Sequence, residues 1–142
     1  MKPLILIIED DSTFRSILFE LLELEDYNVV SAEDGSLGLQ LAQALQPNLI
    51  ISDIGMPKLD GYGVLKQLRE DLTTAKIPFI FLTAQTDSIS HQRAMQLGAN
   101  DYLIKPVSYG QLVVALQNQL QPKSDNLLPK LPNLPKVKNP AS

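Results

Sequence analysis

The sequence predicts a doubly wound α/β domain, in which a five-stranded parallel sheet carries helices on both faces. Two observations lead to this prediction. Five short runs are rich in β-branched residues and apolar over most of their length. Between them lie stretches in which apolar residues recur with helical spacing. Strands without polar alternation are buried on both faces, which is typical of parallel sheets built from strand–helix–strand units. Right-handed crossovers then leave few topologies.

The first part of the chain gives two strand–helix units. Leu4–Ile8 predicts the first strand. The next stretch predicts a helix, with Ser12 as its N-cap and apolar residues at i, i+3, i+4, i+7 and i+8 from Phe14. Tyr27–Ser31 predicts the second strand, and the second helix is expected to end near Pro47. The apolar stripe of that helix consists of Leu37, Leu41, Ala44 and Leu45.

The second part of the chain continues the alternation. Leu49–Ser52, Pro78–Leu82 and Asp101–Ile104 predict the third, fourth and fifth strands. The fourth helix, about Ser88–Leu97, has a weak apolar stripe, and such a helix is expected to hold on to the sheet less firmly. The third helix is predicted from Val64, Leu65, Leu68 and Leu72, and the fifth from Leu112, Val113, Leu116 and Leu120.

The α/β domain is predicted to occupy residues 1–121, with a proline-rich linker or tail over residues 122–142. That segment holds five of the ten prolines, and the Leu-Pro-x repetition of Leu128–Lys136 excludes a helix there. It is typical of an extended linker. The sequence leaves open whether these residues lead to a further domain or end a stand-alone one, and we favour the linker.

Composition excludes several classes of function. The chain has no cysteine and one histidine, so thiolate sites, disulfides and histidine-based metal clusters are excluded. Its longest apolar run is far shorter than a membrane span, so we expect a cytoplasmic protein without a membrane partner. The net charge of −4 divides into −7 for residues 1–121 and +3 for residues 122–142. An acidic domain argues against direct nucleic-acid binding.

Polar residues that could carry chemistry follow four of the five predicted strands. In an open α/β sheet, ligands bind beyond the carboxyl ends of the strands, where the strand order reverses. No comparable set of polar residues follows the second strand. This strand is therefore expected at the edge of the sheet, with the first and third strands flanking the site. The candidate residues are Glu9, Asp10 and Asp11 after the first strand, Asp53 after the third, Thr83 after the fourth and Lys105 after the fifth.

Together these residues suit phosphoryl transfer. Oxygen ligands without histidine or cysteine select a hard cation, and we expect Mg²⁺. A carboxylate can attack phosphorus, and in-line transfer mainly needs positioning and charge neutralisation. Each residue alone has a structural explanation, because an acid after a strand is more often a helix N-cap or a solvated loop residue. The glycine motifs of nucleotide-binding loops are absent.

At these residues the sequence resembles the receiver domain of two-component response regulators. The resemblance covers about residues 3–120 and implies the flavodoxin-like fold with strand order 2-1-3-4-5. The matching segments are Leu6-Ile7-Ile8-Glu9-Asp10-Asp11, Ala32-Glu33-Asp34-Gly35, Ile51-Ser52-Asp53-Ile54-Gly55-Met56-Pro57-Lys58-Leu59-Asp60-Gly61, Phe81-Leu82-Thr83-Ala84 and Gly98-Ala99-Asn100-Asp101-Tyr102-Leu103-Ile104-Lys105-Pro106.

The resemblance implies a role for each matching residue. Asp53 would accept a phosphoryl group from a phosphohistidine of a sensor histidine kinase or histidine phosphotransfer protein. Lys105 would pair with the phosphoryl oxygens, and its bond to Pro106 is expected to be cis. Thr83 would move to the phosphoryl group, with Tyr102 turning inward behind it. The Mg²⁺ ligands would be Glu9, Asp10, Asp53 and the main-chain carbonyl of Gly55.

The resulting hypothesis is a phospho-accepting signalling domain that catalyses only its own phosphorylation and dephosphorylation and is otherwise not an enzyme. Gly55 and Gln85 offer no acid to an attacking water, so a distinctive phosphoryl lifetime is expected. His91 is expected to be solvated. A homodimer through the fourth and fifth helices is possible, and the cognate kinase and the output are not specified. The alternatives are a receiver-like interaction module that is not phosphorylated, and a small flavin- or nucleotide-binding α/β enzyme or Mg²⁺ phosphatase.

Overall fold

The computed structural model describes residues 2–121, and the proline-rich segment 122–142 lies outside the described residues. Strands and helices alternate along the chain. The strands are β1 (Leu4–Ile8), β2 (Asn28–Ala32), β3 (Leu49–Ser52), β4 (Phe79–Thr83) and β5 (Asp101–Ile104). The helices are α1 (Ser12–Leu24), α2 (Gly35–Leu45), α3 (Gly61–Glu70), α4 (Ser88–Gln96) and α5 (Tyr109–Leu120).

The five strands form one parallel sheet in the order β2-β1-β3-β4-β5. The predicted fold class and strand order are therefore confirmed. β1 and β3 are neighbours although α1, β2 and α2 separate them in sequence, so the strand order reverses between them. The register pairs Ile8 with Ser52 and Thr83 with Ile104, so adjacent strands end at nearly the same level.

The core consists of one apolar layer on each face of the sheet. Alternate residues of β1 point to opposite layers: Leu6 and Ile8 lie with α2, α3 and α4, whereas Ile5 and Ile7 lie with α1 and α5. The central strands β1, β3 and β4 are almost wholly buried. Burial on both faces explains why their sequences show no polar alternation.

Several predicted boundaries need correction. The N-cap of α1 is Asp11 and not Ser12, because the Asp11 carboxylate accepts hydrogen bonds from the backbone N–H groups of Thr13 and Phe14. β2 and β4 each begin and end one residue later than predicted. Leu72, expected on the third helix, lies beyond the end of α3 and is 96% exposed.

The fourth helix is attached to the domain mainly by polar contacts. It buries a single residue of its own, Ala94, which agrees with the weak apolar stripe of its sequence. The hydroxyl of Tyr62 in α3 donates to the carbonyl of Ser90 at 3.1 Å, and the Arg93 guanidinium lies 4.2 Å from the Tyr62 ring centre. Just beyond α4, Gly98 accepts two hydrogen bonds from the Arg69 guanidinium.

Across residues 2–121, every helix is too short or too polar to cross a lipid bilayer.

Candidate functional site

The predicted acids and the lysine meet at the carboxyl edge of the sheet. Glu9 and Asp10 follow β1, Asp53 follows β3, and Lys105 follows β5. Because the parallel strands end at nearly the same level, the residues after them are brought to one place despite separations of up to 96 positions along the chain. The site thus results directly from the strand order and register.

The acidic part of the site is a cluster of three carboxylates. Glu9, Asp10 and Asp53 each place one carboxylate oxygen within 4.8 Å of the other two. Glu9 is 2% exposed, Asp53 is half-buried and Asp10 is exposed. Burial raises the pKa of Glu9, and the nearby charge of Asp53 acts in the same direction. An all-oxygen set that is open to solvent on the Asp10 side fits a hard, partly hydrated divalent cation.

Lys105 is the cation that the structure places against this cluster. Its ammonium donates to Glu9 Oε1 at 2.8 Å and to Asp53 Oδ2 at 3.4 Å. Burial lowers the pKa of Lys105, but the hydrogen bond to Glu9 and the two carboxylate charges outweigh it, so its pKa is raised. The lysine therefore remains an ammonium at neutral pH. The Lys105–Pro106 bond is cis, as the family resemblance implied.

The two oxygens of Asp53 have different surroundings. Oδ1 accepts a hydrogen bond of 2.7 Å from the backbone N–H of Ile54, whereas Oδ2 faces Lys105. The side chain is 14% exposed. One oxygen of Asp53 is thus fixed by the backbone, while part of the side chain remains accessible to solvent.

Thr83 and Tyr102 belong to a second group of contacts beside the acids. Thr83 is buried at the end of β4, and its hydroxyl accepts a hydrogen bond of 3.3 Å from the Gln85 N–H. The Tyr102 hydroxyl donates to the Gln85 carbonyl at 2.8 Å. Within residues 2–121, the Thr83 hydroxyl makes no hydrogen bond to Asp53 or Lys105, although the Thr83 carbonyl accepts one of 2.8 Å from the backbone N–H of Lys105. Both residues instead contact the loop that follows β4.

His91 is exposed, as predicted, but its partner could not be inferred from the sequence. Its ring stacks on the ring of Tyr102, with a centroid distance of 4.7 Å and an interplanar angle of 23°. Tyr102 in turn packs edge-on against Phe81 in the core. The histidine thus covers the side chain that the family resemblance marks as mobile.

The loop residues Gly55 and Gln85 lie close together. A Cβ atom at Gly55 would be 3.6 Å from the Gln85 side-chain nitrogen. The Ser90 hydroxyl donates to the other end of this amide, Gln85 Oε1, at 3.0 Å. The amide of Gln85 therefore occupies the space next to residue 55, and a hydrogen bond from the first turn of α4 fixes its position.

Two residues that the sequence did not indicate as functional also contact the site. The Phe14 ring centre lies 4.3 Å from Lys105 Nζ, and an Arg15 guanidinium nitrogen donates to the Glu9 carbonyl at 2.7 Å. In the sequence, Phe14 is one member of the apolar stripe of α1. The available signal was its place in the first turn of a helix that begins directly after the acids.

Comparison with known proteins agrees with this geometry. The family model "Response regulator receiver domain" matches residues 5–117. The "Probable chemotaxis protein CheY" of Rhizobium etli is 40% identical over 117 residues, which cover 82% of this chain and 91% of that protein. The "Probable transcriptional regulator ycf27" of Porphyridium aerugineum is 39% identical over 132 residues, covering 90% of this chain and 54% of that protein.

The chain spans about half the length of the ycf27 relatives that it matches. A solved structure gives the same fold: the receiver domain of the sensor histidine kinase PA1611 from Pseudomonas aeruginosa, with a magnesium ion coordinated in its active-site cleft. It is 28% identical with a TM-score of 0.78, and the match covers 84% of this chain and 98% of that one. With a family match over most of its length, this chain belongs to the response regulator receiver domain family.

Proposed function

We propose that Asp53 is the residue of this receiver domain that accepts the phosphoryl group. The observation that carries the proposal is the meeting of Asp53 with Lys105 and two further acids at one edge of the sheet. A carboxylate oxygen of Asp53 attacks phosphorus, and the bond from phosphorus to the donor breaks as the new one forms. The product is an aspartyl phosphate.

The remaining groups neutralise and position charge during this transfer. Lys105, an ammonium next to Asp53, is placed to pair with phosphoryl oxygens. Glu9, Asp10 and Asp53, with the main-chain carbonyl of Gly55, are proposed to hold Mg²⁺, which supplies further positive charge beside the transferred group. The magnesium site named for the PA1611 receiver domain supports this assignment. The domain so described acts on itself and turns over no external substrate.

Thr83 and Tyr102 are proposed to report phosphorylation to the surface. Both contact the loop after β4, through the N–H and the carbonyl of Gln85. If the Thr83 hydroxyl turns to the phosphoryl group, its bond to the Gln85 N–H is lost. The loop, and α4 behind it, then lose one of the contacts that define their position, so the phosphoryl group changes the balance between two arrangements.

The phosphoryl donor is proposed to be a phosphohistidine of a sensor histidine kinase or of a histidine phosphotransfer protein, in keeping with the family. Homodimers are proposed to form through α4 and α5, where Ile89, Met95 and Val114 are exposed. Residues 1–121 are proposed as the receiver domain and residues 122–142 as a linker or tail. The transcriptional role in the name of the longer ycf27 relatives suggests one class of output.

Intact-mass spectrometry tests the phosphoacceptor. The protein is incubated with acetyl phosphate and Mg²⁺, beside an Asp53→Asn variant and a sample treated with a chelator. We expect one phosphoryl group that requires Mg²⁺ and is lost in Asp53→Asn. A protein that stays unmodified, and whose spectra do not respond to beryllofluoride, would instead be a receiver-like interaction module.

A further inference from the structure

The Lys105 ammonium has a third contact in addition to its two carboxylates. Its Nζ atom lies 4.3 Å from the centre of the Phe14 ring. A cation within about 6 Å of an aromatic ring centre is attracted by the negative face of the ring. Phe14 comes from α1, so the lysine that follows β5 is surrounded by the loops after β1 and β3 and by a helix of the adjoining layer.

The Phe14 ring is held in place by its own helix and by the core. The backbone N–H of Phe14 donates to the capping carboxylate of Asp11 at 3.1 Å, which fixes the residue in the first turn of α1. Its side chain is half-buried and packs against the apolar layer formed by α1 and α5, to which Val107 also contributes. A ring supported in this way offers the ammonium a fixed surface.

The three contacts of the ammonium respond differently to ligands. Glu9 and Asp53 belong to the cluster proposed to bind Mg²⁺, and a bound divalent cation offsets their attraction for Lys105. Phosphorylation also changes the charge at Asp53. The attraction of the Phe14 ring depends on its own electron distribution and not on the state of either carboxylate. It therefore persists when the carboxylate contacts weaken.

We propose that Phe14 is a positioning residue that keeps the Lys105 ammonium beside Asp53 when the Glu9 carboxylate is engaged by the divalent cation. This inference rests on the proposed function and deepens it by adding a residue that acts through the lysine. Lys105 then meets the incoming phosphoryl group from a defined position. Without the ring, its four-carbon side chain has more freedom to turn into solvent.

The electron density of the ring can be changed with little change in its shape. Phe14 is replaced by phenylalanine carrying one, two or three fluorine atoms, which progressively weakens the negative face of the ring. Phosphorylation by acetyl phosphate at saturating Mg²⁺ is followed by intact mass. We expect the rate to fall with each fluorine, by about three- to ten-fold over the series, with a similar loss in Phe14→Leu and a near-normal rate in Phe14→Tyr.

The matched control is Phe19→Leu. Phe19 is a half-buried phenylalanine of the same helix that packs against the same apolar layer, and it lines a groove with Ser16 and Glu20. Its substitution removes a comparable amount of apolar surface and is expected to leave the phosphorylation rate within two-fold of the original. Melting temperatures of the variants separate a loss of stability from a loss of positioning.

A second readout needs no phosphorylation. In a protein with isotope-labelled lysine, the ring current of Phe14 should shift the ε-methylene protons of Lys105 upfield, both without and with Mg²⁺. The shift should disappear in Phe14→Leu and remain in Phe19→Leu. A shift that is lost when Mg²⁺ is added to the protein of natural sequence would show that the ring does not retain the lysine, and would overturn the inference.

The outcomes separate this inference from the function on which it depends. If the protein of natural sequence acquires a phosphoryl group on Asp53 and the fluorinated variants are phosphorylated at the same rate, the positioning role of Phe14 is wrong and the proposed function stands. If the protein of natural sequence is not phosphorylated and does not respond to beryllofluoride, the proposed function fails, and the inference fails with it. If it responds to beryllofluoride alone, the ring-current measurement decides the inference.

Discussion

Lys105 and Glu9 form an ion pair of 2.8 Å that connects the loop after β5 to the end of β1. The Glu9 side chain is 3% exposed and that of Lys105 20% exposed. The pair therefore lies at the buried end of the site, and part of the lysine side chain remains accessible to solvent. Asp53 Oδ2, at 3.4 Å, is the more distant acceptor. The lysine therefore offsets the charge of the buried glutamate before any cation binds.

Removing the lysine charge should destabilise the protein in a way that Mg²⁺ reverses. In Lys105→Met, Glu9 and Asp53 lose their common counter-charge. We expect the free energy of unfolding to fall by about 1–3 kcal/mol, below the range for fully buried pairs because Lys105 is partly exposed. Added Mg²⁺ should restore part of the loss, which urea unfolding with and without the ion would measure.

The control for this substitution is Lys66→Met. Lys66 forms an exposed pair with Glu70 at 3.9 Å, and such pairs contribute about 0.5 kcal/mol or less. Equal losses in the two variants, or no recovery of Lys105→Met with Mg²⁺, would contradict the role of Lys105 as counter-charge to the acids.

A side chain at Gly61 should disturb the loop that carries Asp53. A Cβ atom there would be 2.2 Å from the Asp53 carbonyl oxygen and 2.8 Å from the Phe81 ring. We expect Gly61→Ala to lower the free energy of unfolding by about 1–3 kcal/mol and to slow phosphorylation, because the backbone at Asp53 must move. Thermal unfolding and the acetyl phosphate assay would measure the two effects.

Gly110→Ala is the matched control for Gly61→Ala. A Cβ atom at Gly110 would have no neighbour within 4 Å, and the residue lies in the first turn of α5. Alanine should therefore stabilise the helix by about 0.5 kcal/mol. If the two substitutions had effects of the same sign, the steric explanation for Gly61 would be wrong.

Asn100 should stabilise β4 through its side chain. Its Oδ1 atom accepts hydrogen bonds from the backbone N–H of the buried Phe79 at 2.9 Å and from Arg69 at 3.1 Å. In Asn100→Ala the Phe79 N–H loses its acceptor, and we expect a loss of about 1–3 kcal/mol in urea unfolding. Asn100→Asp keeps an acceptor in place and should lose less. A larger loss in the aspartate variant would show that the amide nitrogen matters more than the oxygen.

The N-terminus of α4 should respond to acid through Asp87. The backbone N–H of Ser90 donates to the Asp87 carboxylate, as does its hydroxyl, which is shared with Gln85 Oε1, and these bonds lower the pKa of Asp87 below its ordinary value of 3.8. Because the carboxylate is the form that accepts these bonds, its contribution to the helix is complete above pH 3.8. It is lost as the pH falls through the lower value of the folded state.

An NMR titration would test this cap. The Asp87 carboxyl carbon and the Ser90 amide proton should shift together, with a midpoint below 3.8, over the pH range in which the domain stays folded. In Asp87→Asn, the Ser90 amide should lose this transition. A midpoint at or above 3.8 would mean that the carboxylate does not cap α4 in solution.

The strands and the acidic cluster could be predicted because they depend on simple regularities of the sequence. Buried parallel strands leave apolar runs, and polar residues after such runs meet at one edge of the sheet once the strand order is known. These two regularities predict that Asp53 and Lys105 lie close together. Their meeting in the structure, at 3.4 Å, confirms the expected geometry.

The remaining features depend on side-chain packing that no local pattern reveals. Asp11 and Ser12 are both good N-caps by composition, and the structure uses Asp11 because its carboxylate reaches two N–H groups. Phe14 occupies an ordinary apolar position in its helix, and its contact with Lys105 depends on how α1 lies against the loop after β5. The stacking of His91 on Tyr102 likewise joins two elements.

The polar attachment of α4 has a thermodynamic consequence. The change in heat capacity on exposing a protein surface follows its apolar area, and α4 buries only Ala94 of its own residues. Tyr62 makes a polar contact to α4, and Arg69 makes two to Gly98 just beyond it. Release of this helix should therefore carry a small heat-capacity change, unlike global unfolding. The equilibrium between attached and released α4 should follow a nearly straight van 't Hoff line, so its temperature dependence would be set by a single enthalpy.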